Sequence, residues 1–125
     1  MNQTTKTFAF YGSIFMALAV AFGAFGAHGL KSMISPDMLV IFHTGVEYHF
    51  YHALGLFAVA FVAHSNDTKQ VKIAGYLMIF GILIFSGSLY ILSITGIKWL
   101  GAITPIGGTG FIVAWVMLAL ALRKS

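Results

Sequence analysis

The sequence predicts an all-α integral membrane protein, a bundle of four transmembrane helices with both termini on the cytoplasmic side. Three observations lead there. Hydrophobic residues make up 59% of the 125 and charged residues only 8%, against roughly 25% charged in an ordinary soluble domain. The apolar residues gather into four stretches, each near the roughly 20 residues a helix needs to cross a bilayer. The basic residues lie at the ends of those stretches, five on one side (Lys6, Lys69, Lys72, Arg123, Lys124) and two on the other (Lys31, Lys98), which puts both tails inside by the excess of cytoplasmic Lys and Arg. A soluble core of this length could not hide so much apolar surface.

The spans follow in order within a single membrane domain covering residues 1–125. The first runs from about residue 8 to 30. Lys6 ahead of an apolar run resembles the start of a signal peptide, but the run is too long for a signal-peptide core, and numbering from Met1 gives the expectation that nothing was removed. Residues 31–37, with Ser35 and Pro36, turn the chain into a second span at about 38–64, since proline is tolerated in a first helical turn. The outer half of that span holds His43, Thr44, Glu47, Tyr48, His49, Tyr51 and His52, so its hydropathy is weak. Polar residues 65–70 lead to a third span at about 71–94. Gly96, Lys98 and Trp99 then form an interfacial signature before a fourth span at about 105–122, which contains Gly107, Gly108 and Gly110. These glycines, with Ala19, Gly23 and Ala27 of the first span, are expected to be helix contacts and not ligand-binding loops, because no GxGxxG follows a strand.

Composition also excludes functions. The net charge of +4 comes from singly or doubly placed residues at span ends, not from a basic stripe, so no nucleic-acid partner is expected. With no cysteine there is no disulfide, thiolate nucleophile or cysteine-held metal cluster. Ser86, Ser88 and Ser93 lack a GxSxG context, no Asp lies inside a span, and no catalytic residue is assigned.

Ionisable groups inside a bilayer are costly unless they face a bundle interior or water, which directs attention to the second span and its carboxylate, Glu47. Steps of 100° put His43, Glu47 and Tyr51 on one face and Tyr48, His49 and His52 mostly on the other. With a rise of 1.5 Å per residue, His28 and His43 lie roughly 12 to 14 Å to the outer side of the midplane, Tyr90 about 10 Å, and Glu47, Ser88 and Thr109 about 6 to 8 Å, with His52 near the midplane. Depth therefore permits one cluster of Glu47, His43, His28, Tyr48, His49, His52, Ser88, Tyr90 and Thr109. Three readings compete for it. In the first, the polar groups satisfy one another and lock the bundle, with Glu47 buried and bonded. In the second, Glu47 titrates with His43 or His28 in a small-molecule or proton-linked transporter. In the third, His28, His43, His49 and His52 supply ligands for haem or a metal, although no HExxH or similar signature is present.

Four segments, GAFGAHGL (23–30), TGVEYHFYHALGL (44–56), GSLY (87–90) and TPIGGTGFIVAW (104–115), closely resemble the domain-of-unknown-function 423 family of small membrane proteins, which includes transmembrane protein 256 and YwdK-like proteins. The resemblance covers nearly the whole chain. It implies a four-helix membrane architecture and a bacterial inner (cytoplasmic) membrane setting, and supplies no activity or catalytic residue. The expectation is a structural or accessory protein of a membrane complex, in contact with the lipid bilayer and forming a homo-oligomer or part of a larger assembly. The transporter and the haem or metal binder stand as alternatives.

Overall fold

The computed structural model describes residues 1–124, and these are helical almost throughout. Four helices long and apolar enough to cross a membrane follow one another. They are α1, Gln3–His28, α2, Pro36–Ser65, α3, Lys69–Thr95, and α4, Thr104–Lys124. The chain is a multi-pass membrane protein in contact with the lipid bilayer.

Local chemistry fixes where the helices begin and end. The Asn2 side chain accepts from the Thr5 N–H at 2.8 Å, so α1 starts ahead of its apolar run. Ser35 and Thr68 cap α2 and α3 in the same way, and Pro36 occupies the first turn of α2, each side chain satisfying an N–H that the helix itself leaves orphaned. Gly96, at φ 74°, closes α3 in the left-handed conformation that glycine adopts without steric cost.

The helix with the lowest hydropathy is the most enclosed. In its most apolar window α2 has a mean hydropathy of 1.3 and 56% of its residues buried, whereas α1 has 1.9 and 22%. The polar residues that weaken its hydropathy are tolerated because α1 packs on one side of α2 and α3 with α4 on the other. Its 30 residues span about 45 Å against a hydrocarbon core of about 30 Å, so its ends reach the headgroup layers.

Small residues let these backbones approach, as is usual where lipid supplies no hydrophobic drive between helices. On α1 the buried seam is Thr5, Gly12, Ala19 and Gly26, a seven-residue spacing. Of the expected trio Ala19, Gly23 and Ala27, the first is buried, the second half-buried and the third exposed. A seven-residue repeat is the spacing that two helices crossing at a shallow angle present to each other. A Cβ on Gly26 would come 2.7 Å from the Phe42 ring, and one on Gly12 would come 2.9 Å from Phe57. Thr5 Oγ1 donates to the Ala60 carbonyl at 3.0 Å, and Asn2 Nδ2 to that of Ala63 at 2.8 Å, tying the start of α1 to the end of α2. The main core joins Phe8, Leu56, Val59, Met78, Phe111 and Leu118 across all four helices, and a smaller one holds Leu30, Phe42 and Val46.

Residues Ile82–Ser86 of α3 form a π turn, a widened turn that often marks a functional place in a helix. Here it coincides with crowding on two sides. Ser86 Oγ donates to the Gly45 carbonyl of α2 at 2.7 Å, and the Phe85 backbone lies so close to Gly107 of α4 that a Cβ there would meet its N and Cα. The extra residue per turn sets the direction of everything after it, including Ser88 and Tyr90.

Candidate functional site

The polar side chains of α2 leave the helix in three directions and do not form one cluster. His49, 2% exposed, points between α1 and α3, where its Nδ1 lies 2.7 Å from the Tyr90 hydroxyl. With Tyr90 donating, the ring proton sits on Nε2. That atom is buried and faces the Phe15 backbone without closing a hydrogen bond of regular geometry. The rings of Phe15 and Phe22 stand around it at 6.0 and 6.2 Å.

His52, 5% exposed, points instead towards α4. Its Nδ1 lies 2.8 Å from the Tyr48 carbonyl one turn earlier, and its Nε2 lies 3.0 Å from the Trp115 indole nitrogen. An indole N–H can only donate, so Nε2 accepts and the proton sits on Nδ1, directed at the carbonyl. The ring also stacks on Phe111 with centroids 3.5 Å apart and planes 10° from parallel. Tyr48 extends the stack at 6.3 Å. An open groove of about 620 Å³ runs along this face, lined among others by Tyr48, His52, Phe85, Thr109, Phe111 and Trp115.

Glu47 takes the third direction, outwards. It is exposed, as is Tyr51, whose hydroxyl donates to Glu47 Oε2 at 3.3 Å. The expectation of a Glu47 buried among Ser88, Tyr90 and Thr109 gives way here. Ser88 pairs with Thr104, oxygen to oxygen at 2.6 Å, Tyr90 with His49, and Thr109 is exposed and donates to the Pro105 carbonyl of its own helix at 2.8 Å. The reason is angular. Residues 47 and 49 differ by about 200° around the helix, so when α1 and α3 enclose His49 they leave Glu47 on the far side. His43 is half-buried beside Gly26, while His28 is exposed at the end of α1. Among the described residues no group of three His, Asp or Glu is arranged to hold a metal ion, and with its Nε2 occupied by Trp115, His52 has no free lone pair to offer.

Sequence reasoning gave no place in the polar cluster to Ser86, Thr104, Phe111 or Trp115. A signal existed for Trp115, since a tryptophan near the middle of a span, far from headgroup depth, carries an N–H that needs an acceptor in its own bundle. For Ser86 the bond goes to a backbone carbonyl, which no residue type announces.

Comparison with known proteins places the chain among small membrane proteins. Residues 22–108 match the family described as Protein of unknown function (DUF423). A UPF0382 membrane protein of Bacillus subtilis, YwdK, is 55% identical over 120 residues, covering 95% of this chain and 98% of the relative. UPF0382 membrane proteins of Staphylococcus saprophyticus and Staphylococcus epidermidis are 44% and 43% identical over 119 residues, 95% of this chain, with 98% and 97% of their own lengths covered. No solved structure matches the chain.

Proposed function

This chain belongs to the DUF423 family of membrane proteins, and from that premise we propose that it acts as an accessory subunit of a membrane assembly in the bacterial cytoplasmic membrane, both termini inside, holding its partner through the outward face of α2. One observation carries the reading. Glu47 lies on the outer surface of the bundle, about 5 Å from the middle of α2 along its axis, which is hydrocarbon and not headgroup depth for a helix centred on the bilayer. A carboxylate there costs several kcal/mol against lipid and is ordinarily turned towards protein or water. Among the described residues, its own bundle offers it the Tyr51 hydroxyl alone.

The interior supports the same reading. His52, Ser86 and Ser88 are engaged with Trp115, Gly45 and Thr104 between stacked rings, an arrangement that fixes helices relative to one another. The test is photocrosslinking in native membranes, with a benzophenone amino acid at Leu54, which is 57% exposed on the same face as Glu47. The expected product is a protein adduct. Recovery of lipid adducts alone removes the proposal.

A further inference from the structure

The groove between α2 and α4 has features that helix packing does not account for. Gly107 has the Phe85 backbone against it, whereas a Cβ on its neighbour Gly108 would meet only the Phe85 ring, at 3.5 Å, an ordinary contact. Packing thus leaves room for a side chain at Gly108, and the lack of one keeps the groove open at about 620 Å³. Its walls are the rings of Tyr48, Phe85, Phe111 and Trp115, and the lining holds no Lys, Arg, Asp or Glu. Phe85 enters the wall from the π turn, the kind of widened turn that often serves a function. Its ring lies 4.7 Å from that of Tyr48.

The polar groups of the groove leave one donor on offer. Thr109 gives its proton to the Pro105 carbonyl, and Trp115 gives its N–H to His52. Among the described residues none bonds the hydroxyl of Tyr48, whose side chain is 39% exposed. Tyr48 lies about 4 Å from the middle of α2 along its axis. In a helix centred on the bilayer that depth is hydrocarbon, where acyl chains carry no acceptor and an unsatisfied hydroxyl is costly. We propose that the groove binds the ring of a quinone dissolved in the bilayer, one ring carbonyl accepting from the Tyr48 hydroxyl. A quinone is neutral, as a lining without ionised groups requires. Its ring is flat and electron-poor, and is drawn to the negative faces of the phenol and indole. The groove has the size and the mainly aromatic lining, with few polar groups, of a small-molecule site. Phospholipid carbonyls stay at headgroup depth, so lipid cannot supply the same acceptor.

This inference goes beyond the accessory role and does not depend on it, because Glu47 takes no part in the groove. Of the two tryptophans, Trp115 lines the groove and Trp99 does not. The chain carrying Trp99→Phe, in phosphatidylcholine vesicles, is titrated with decylubiquinone while Trp115 emission is read, since a quinone in contact with an indole quenches it. The expected quenching saturates, and decylbenzene, which has the same tail and no carbonyl, does not reverse it. Tyr48→Phe weakens the apparent affinity about two- to tenfold, the worth of one hydrogen bond. That variant breaks no hydrogen bond of the Tyr48 hydroxyl within the described chain, so it reads the site even where Gly108→Leu disturbs the bundle. Gly108→Leu fills the groove and leaves only the linear quenching of quinone free in the bilayer. Linear quenching in the starting protein, equal affinity in Tyr48→Phe, saturation undisturbed by Gly108→Leu, or reversal by decylbenzene each overturns the proposal.

Discussion

The Trp115 indole N–H donates to Nε2 of His52 at 3.0 Å, joining α4 to α2 near the middle of both helices. The bond determines the tautomer of His52 and leaves that ring both of its hydrogen bonds, the second to the Tyr48 carbonyl. Replacing Trp115 by Phe strands Nε2 in a buried place. Melting in detergent is expected to register a loss of about 1–3 kcal/mol, the cost of an abandoned buried acceptor. His52→Phe combined with Trp115→Phe removes both partners and recovers part of that loss. Additive single-variant effects would show that the two residues are not coupled.

Ser86→Ala tests the π turn. The hydroxyl bonds to the Gly45 carbonyl at 2.7 Å, and without it α3 loses a tether to α2 at its widened turn. The expected change is about 1 kcal/mol in stability, with faster amide exchange confined to residues 82–88. Uniform exchange along α3 would indicate that the turn is held by packing alone.

The number of helices was legible because apolar runs and polar links alternate cleanly, and the family resemblance rested on segments spread over most of the chain. The helical wheel also separated Glu47 from His49 correctly. What it could not supply was which side of α2 the other helices would cover, since bulky apolar residues occupy both: Phe42 and Leu56 inside, Leu54 and Phe61 outside. Depth alone therefore grouped Glu47 with Ser88 and Thr109, although lateral packing sends them apart. The π turn left no local trace either. It depends on Gly45 and Gly107, which are 41 and 22 residues away from Ser86 and Phe85 in sequence.

Two glycines beside that turn, Gly87 following it in α3 and Gly107 facing it from α4, should behave in opposite ways. A Cβ on Gly107 would run into the Phe85 backbone, which cannot swing aside as a side-chain tip can, whereas Gly87 has nothing within 4 Å of the same position. Gly107→Ala should separate α3 from α4 and cost about 1–3 kcal/mol as an overpacked contact. Gly87→Ala should be neutral or raise stability by up to about 1 kcal/mol, through the better helix propensity of alanine. Equal melting temperatures for the two variants would contradict the close approach of α4 to the π turn.

Topology gives the last test. The two tails and the link between α2 and α3 carry Lys6, Lys69, Lys72, Arg123 and Lys124, against Lys31 and Lys98 in the other two links, so the excess of cytoplasmic Lys and Arg predicts that this side faces inward. The Asn2 bond to Ala63 and the Asn66 bond to Ala121, at 2.8 and 3.2 Å, gather the start of α1 and the ends of α2 and α4 at one end of the bundle. The basic residues therefore act on a common face. In the cysteine-free background, an impermeant maleimide added to intact cells should label Lys31→Cys and Lys98→Cys at once. Lys69→Cys should react only after permeabilisation. The reverse pattern would invert the bundle in the membrane and place the charged end outside. Labelling of Lys69→Cys and Lys31→Cys from the same side would break the four-span count itself, because a single transmembrane helix, α2, separates them.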